Sequence, residues 1–250
     1  MTDEVLLERH DGWAELILNR PDTRNAINGP LGVMLAKHAE ALNSDPSIGA
    51  VLLRGEGGAF CSGLDLKAFN AQPPPDWHAD FPRLWRSAHK ALFNLKAALV
   101  VAVERYAING GAALALAGDF VVMGEEAFLH VGEVQQGMAA PYNLAWLRLR
   151  HSEATTARVA LLGRRITGRQ AVDLGFALQT EPEESVLDAA RSLTQSLADY
   201  PRGATAHVKA VSRIYSTQNG AQNGQQDADE WFDKAFSIGP APSQRPRAND

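Results

Sequence analysis

An α/β fold followed by a helical C-terminal part is predicted by three observations. Short runs rich in β-branched residues recur through the first half of the chain; helical patterns separate them; and beyond Pro141 the pattern reads as helical throughout.

The strand segments are Trp13–Asn19 (WAELILN), Ala50–Arg54 (AVLLR), Ala98–Val103 (ALVVAV) and Phe120–Met123 (FVVM), each bounded by turn residues. Helical patterns cover Pro30–Leu42, a stretch ending at Leu95, and Gly111–Ala117. Pro141 suits a first helical position, and Arg148 and Arg150 lie near the far end, where cations suit the helix dipole. Thr167 can cap a short helix that Gly175 ends. Further helices run from Glu183 to Tyr200, stopped by Pro201, and from about Ala204 to Tyr215. The expected division is an α/β core over residues 1–195 and a C-terminal helical region over residues 196–250. Two breaker-rich segments, Asn70–Pro75 and Ser216–Gln226, read as loops, and the tail SIGPAPSQRPRAND as mobile.

Composition narrows the function classes. With 29 acidic and 24 basic residues the net charge is −5, which disfavours nucleic acid as a partner. The one cysteine, Cys61, excludes an internal disulfide framework and a cysteine-based zinc site, and reads as a packed thiol. No apolar run reaches the length of a membrane span, and the start MTDEVLLERH lacks the pattern of a signal peptide. A cytoplasmic protein without a membrane or metal partner is expected.

Three stretches carry candidate chemistry. In AFCSGLDLKAF (59–69), Gly63 either makes a plain strand-to-helix turn or lets the backbone approach a ligand, so that the Leu64 amide points into a cavity. Asn109, Gly110 and Gly111 open the apolar helix AALALAG, where exposed amides attract negative charge; tight packing of a small-residue helix is the alternative. Two amides converging on one oxygen would form an oxyanion hole, each worth roughly 3 to 4 kcal/mol once charge develops there. The third stretch, GEVQQGMAAPYNL (132–144), holds a solitary acid, Glu133, among small and apolar neighbours. It is either a base or a surface acid in a loop. Val131, Val134 and Met138 would raise its pKa by disfavouring the charged form.

FCSGLDL resembles the F-x-x-G-x-D-[LI] pattern of the crotonase, or enoyl-CoA hydratase/isomerase, superfamily, and AINGGAALALAGD resembles its glycine-rich turn and helix. NRPDTRNAI (19–27) is similar to the family's early element, and ITGRQAVDLGFALQ (166–179) to its TG-containing helix. Four motifs in register are far more specific than any one.

The resemblance implies a crotonase-like ββα spiral core with a helical C-terminal trimerisation region, an acyl-CoA thioester as ligand, no cofactor beyond the CoA of the substrate, and a homotrimer or hexamer. Carried over residue by residue, the hole amides are those of Leu64 and Gly110, and Glu133 is the acid-base residue. Arg24 becomes a candidate for the CoA phosphates, with Ala26, Ser62, Asp65, Leu66, Ala113, Pro141 and Trp85 as further substrate-binding candidates. Trp77, Phe81 and Trp85 either line an acyl pocket or belong to the core; His130 and Asp119 read as structural.

Hydratases of the family use two glutamates, and the position of the first is Ala113. Proline four residues after Gly137 is closer to the Δ3,Δ2-enoyl-CoA isomerases. An isomerase that moves a double bond from C3 to C2 is therefore expected, with hydration, hydrolysis, decarboxylation or a non-catalytic binding role as alternatives. Glu104 and Arg105 stand where the family has asparagine and glycine, and Asn109 replaces the first turn glycine; Glu104, if directed inward, would supply a second carboxylate. The closing helix that commonly helps cover the CoA is replaced after WFDKAF by a proline-rich tail.

Overall fold

The computed structural model describes residues 3–217 and 232–233. In chain order the elements are β1 (Val5–Arg9), β2 (Trp13–Leu18), α1 (Gly29–Asn43), β3 (Ala50–Gly55), α2 (Leu66–Phe69), α3 (Phe81–Asn94), β4 (Ala98–Val103), β5 (Tyr106–Ile108), α4 (Gly110–Leu116), β6 (Phe120–Gly124), β7 (Phe128–His130), α5 (Pro141–Arg150), α6 (Glu153–Leu162), β8 (Arg165–Thr167), α7 (Gly168–Asp173), β9 (Gln179–Glu181), α8 (Val186–Ala198) and α9 (Ala204–Thr217). A six-stranded sheet runs β1-β2-β3-β4-β6-β9 and a three-stranded sheet β5-β7-β8. β1 and β2 are antiparallel, whereas β2 through β9 in the larger sheet are all parallel.

The chain climbs in repeating turns. β4 lies in the larger sheet and β5 in the smaller, then β6 in the larger and β7 in the smaller. This is the ββα spiral expected for the core. Strands β3 and β4 are buried along their whole length, as parallel strands covered on both faces must be. Their side chains alternate in period two: Leu99, Val101 and Val103 enter the main core with α1 and α3, while Ala98, Val100 and Ala102 face Val186 and Ala190 of α8. Alanines at three positions on that second face, Ala50, Ala98 and Ala102, let α8 sit close to the sheet.

Local signals account for the helix ends. Asn28 Oδ1 caps α1 by accepting from the Leu31 amide at 2.9 Å, and Thr167 forms a reciprocal capping box with Gln170 at α7. Pro141 is the first residue of α5.

Two expectations require correction. The second half is not wholly helical: β8 and β9 lie within it, three residues each, and find their partners far back in the chain at β7 and β6. Strands so short carry no periodicity of their own. The pattern over Glu183–Tyr200 resolves into a 3-10 turn at Glu183–Ser185 and then α8. Asn70–Pro75 is a loop apart from the bends within it. Most of Ser216–Gln226 and the whole of the tail lie outside the described residues. Among the described residues no helix is long and apolar enough to cross a membrane.

Candidate active site

The Cys61–Asp65 segment is held between two flanks. On one, Cys61 donates its amide to Tyr106 O at 3.2 Å and accepts from Ile108 at 3.1 Å, beside β5. On the other, Ile27 N–H donates to Gly63 O at 2.8 Å and Asp65 N–H donates to Ile27 O at 2.9 Å. In such a parallel bridge the residue between the two bonds turns its own amide away from the partner. The Leu64 N–H therefore faces away from Ile27. Gly63, at φ +92°, packs so tightly that a Cβ there would lie 3.0 Å from Ile108 O. A side chain would force this turn away from β5.

The second candidate amide, that of Gly110, is built at the end of β5. Asn109 adopts φ 51° and ψ −110°, so α4 starts abruptly with Gly110 as its first residue. Gly111 lies against Cys61, where a Cβ would come within 2.7 Å of its carbonyl oxygen. This locks the start of α4 onto the Cys61–Leu64 segment. Among the described residues, neither the Leu64 nor the Gly110 N–H donates to a backbone carbonyl. Trp85, in the core, reaches Gly110: its Cζ2 would sit 3.8 Å from a Cβ at that position.

Glu133 begins a 3-10 turn at Glu133–Gln136 and is only 8% exposed. Its loop is fastened to the Asn109 turn: Asn109 N–H donates to His130 O at 2.7 Å, and Gly132 N–H donates to Asn109 Oδ1 at 2.9 Å. Asn143 Nδ2 donates to Glu133 Oε1 at 2.8 Å and to Asn109 O at 3.1 Å. Among the described residues Glu133 Oε2, which is buried, has no hydrogen-bond partner. Burial holds the carboxyl above its usual range, with its own backbone amide and Asn143 pulling it back.

The direction of that shift matches the sequence reading, but its source does not. Val131 is buried, whereas Val134 is 40% and Met138 46% exposed. The hydrophobic spacing of the loop does not predict this: Val134 falls in the 3-10 turn, which throws successive side chains to different sides, and Met138 lies just beyond it. Enclosure comes from packing on the β5–α4 turn and α5.

Arg24, Ser62 and Asp65 form a rim around the Leu64 turn: Ser62 N–H donates to Arg24 O at 3.1 Å, and Asp65 caps α2 through the Ala68 amide at 3.0 Å. Arg24 itself is exposed, as is Leu66, while Ala26 is buried. Ala113 is fully buried in α4, a methyl where a second acid would stand. Trp85 stacks on Phe81 with ring centroids 6.2 Å apart, and Phe69 meets Trp77 and Phe81 edge-on, so this aromatic set belongs to the core while its Trp85 end borders Gly110. Pro141 contributes by starting the helix that carries Asn143.

The remaining residues do not join the site. His130 Nε2 lies 3.1 Å from Gly163 O. Glu104 is raised by burial and by the charge of Glu183, with Arg54 and Glu56 as its other charged neighbours, so it belongs to a different cluster from Glu133. Burial pushes the Cys61 thiol up to about 12, and its Sγ donates to Asn25 O at 3.1 Å, the packed thiol expected. Asp119 accepts from the Leu99 amide at 2.9 Å and pairs with Arg150 at 3.1 Å and Lys209 at 2.5 Å; despite burial these partners hold it at about 2. A cavity of about 610 Å³ adjoins that cluster, walled by Phe120, Leu149, Leu197 and Val208, and Glu133 does not line it. Among the described residues, no group of three metal-binding side chains comes together.

Sequence reasoning missed Asn143 and Arg20. Arg20 pairs with Asp65 at 2.9 Å and with Glu4 at 3.2 Å, and donates to Ala26 O, tying the early element to the Leu64 turn. Its place directly before Pro21 in the NRP element was the available signal.

The enoyl-CoA hydratase/isomerase family model matches residues 8–237. The 1,2-epoxyphenylacetyl-CoA isomerase of Escherichia coli (strain K12) is 30% identical over 205 residues, covering 80% of this chain and 78% of that protein. The carnitinyl-CoA dehydratase of Proteus mirabilis (strain HI4320) is 30% identical over 219 residues, covering 86% and 82%. The structure of a carnitinyl-CoA dehydratase from Mycobacterium avium 104 superposes with a TM-score of 0.79 at 28% identity, covering 94% of this chain and 90% of that one. With the ββα spiral, the paired turns and the family match all in one frame, this chain belongs to the enoyl-CoA hydratase/isomerase family.

Proposed function

We propose that this protein is an enoyl-CoA isomerase that moves a double bond from C3 to C2 of an acyl-CoA thioester with Glu133 as its single acid-base group. The observation that carries the reading is the state of that carboxylate. One oxygen is held by Asn143, the other is buried without a hydrogen-bond partner among the described residues, and a buried Ala113 stands where the family resemblance puts a second acid.

In the proposed reaction Glu133 takes the proton from C2, and the electron pair left behind delocalises onto the thioester oxygen. The Leu64 and Gly110 N–H groups stabilise that enolate, each by roughly 3 to 4 kcal/mol. The neutral Glu133 carboxylic acid then returns the proton at C4, and the double bond comes to rest between C2 and C3. Neither step needs a held water. Burial favours the chemistry twice, by raising the base strength of Glu133 and by keeping its protonated form long enough to deliver. Arg24 is assigned to the CoA phosphates, Trp85 to the acyl chain, and Ala26, Ser62, Asp65, Leu66, Ala113 and Pro141 to the walls and rim of the binding site. Assembly as a homotrimer or hexamer through the C-terminal helices is part of the same reading and is measured by light scattering in solution.

The second reading is hydration or dehydration of the same thioester class, favoured by the similarity to carnitinyl-CoA dehydratases. Incubation with a 3-enoyl-CoA and, in parallel, a 2-enoyl-CoA separates the two. Conversion of the first without water addition to the second supports isomerisation. A 3-hydroxyacyl-CoA as the main product from the 2-enoyl-CoA rejects it in favour of hydration.

A further inference from the structure

Asn143 is 1% exposed and lies in the first turn of α5. A primary amide carries two N–H hydrogens and one acceptor oxygen. Here both contacts of the nitrogen are to oxygens, Glu133 Oε1 at 2.8 Å and Asn109 O at 3.1 Å. The reverse orientation of the amide would oppose oxygen to oxygen at both contacts, so the partners fix the assignment. The Asn143 Oδ1 is buried and has no hydrogen-bond partner among the described residues. Leaving an acceptor so carries a desolvation cost that an apolar side chain of the same size would avoid. The residue is held for its donor end.

We infer that Asn143 is a positioning residue that pins Glu133 Oε1 and joins it to the peptide preceding the Gly110 N–H, leaving Oε2 as the oxygen that moves the proton. The inference rests on the reading of Glu133 as the base for its kinetic consequence, but not for its geometry. Asn109 O belongs to the same peptide unit as the Gly110 nitrogen. A shift of the Asn143 amide therefore displaces the base and one oxyanion donor together. Because Oε1 is occupied, the side chain cannot rotate to exchange its two oxygens without breaking that bond. A base that must reach two carbons in turn gains from such a fixed pivot.

The test uses the full chain labelled with ¹³C at glutamate carboxyls, with the Glu133 signal identified by its loss in Glu133→Gln. Asn143→Leu replaces the amide by an apolar group of similar volume and removes the unpaired oxygen, so the fold should be retained. Asn143→Ala serves as a second variant if leucine does not fit. A hydrogen bond to a carboxylate favours its charged form, so removing it raises the titration midpoint, by roughly 0.5 to 1 pH unit. With 3-enoyl-CoA, kcat should fall about 10- to 100-fold while KM changes less than about threefold, and the acid limb of the pH profile should move to higher pH with the midpoint. A merely structural role would lower the melting temperature and leave midpoint and pH profile in place, which would overturn the inference. A shifted midpoint in a protein whose parent form makes no isomerised product would sink the isomerase reading and leave the pinning of Glu133 standing.

Discussion

Glu15 and Glu133 are both buried carboxylates, and their surroundings are opposite. Glu15, on β2 beneath α8, meets Arg54 at 2.6 Å and Arg191 at 2.7 Å, and although burial alone would raise its pKa, the two guanidinium groups hold it below the usual carboxylate range. Asp119 is neutralised in the same manner by Arg150 and Lys209. Among the described residues Glu133 has uncharged donors only, the Asn143 amide and its own backbone N–H, and is held above the usual range. Where the fold buries an acid for structure, it supplies cations. The acid without them lies in the loop fastened to the Asn109 turn, where under the proposed function an enolate would need a base rather than an ion pair.

The comparison is broken most severely at Glu133 itself. Glu133→Gln keeps the contact with Asn143 but removes the proton carrier, and isomerisation should drop by roughly two to four decades in kcat. The next effect lies at the opposite pole. Glu15→Gln leaves the guanidinium of Arg54 with less to balance it in a buried setting and should cost about 3 kcal/mol of stability, read from urea unfolding, with little change in KM or kcat. Gly63→Ala sharpens the comparison from the donor side. At φ +92° and 3.0 Å from Ile108 O, the added methyl should cost about 1 to 2 kcal/mol and lower kcat about tenfold by displacing the Leu64 amide.

The smallest effect concerns pH. An acid whose folded pKa lies above its unfolded value binds its proton more tightly in the native state, so it disfavours folding once pH rises past the unfolded value. Glu133→Gln should therefore melt slightly higher than the parent at neutral pH, and the difference should vanish as pH falls below the ordinary glutamate range. Glu15 has the reverse sign: its contribution is present above the unfolded pKa and fades as pH falls through the lowered folded value. Thermal melts of parent, Glu133→Gln and Glu15→Gln from about pH 2 to 8 check both slopes, and a parallel offset for both variants would contradict them.

Much of this was legible in the amino-acid order. The hydrophobic runs of β2, β3, β4 and β6 marked their strands because buried parallel strands need apolar side chains on both faces. The glycines at 63, 110 and 111 marked the close approach of two turns. What was hidden depends on distant pairing. β8 and β9 are strands only because β7 and β6 lie beside them, and spacing does not announce the exposure of Val134 within a 3-10 turn or of Met138 just beyond it. Asn143 was hidden for a different reason: an asparagine in the first turn of a helix has many ordinary uses, and only the fold brings it to both Glu133 and Asn109. Glu104 was open in the sequence, and its place among Glu183, Glu56 and Arg54 removes it from the site.

The most direct test follows deuterium during turnover of a 3-enoyl-CoA in D₂O by parent protein and Glu133→Gln. The account predicts that the parent yields 2-enoyl-CoA and that Glu133→Gln yields neither product nor deuterium at C2 of recovered substrate. Deuterium entering C2 at the parental rate in Glu133→Gln would show that another group removes the proton, and would contradict the central claim.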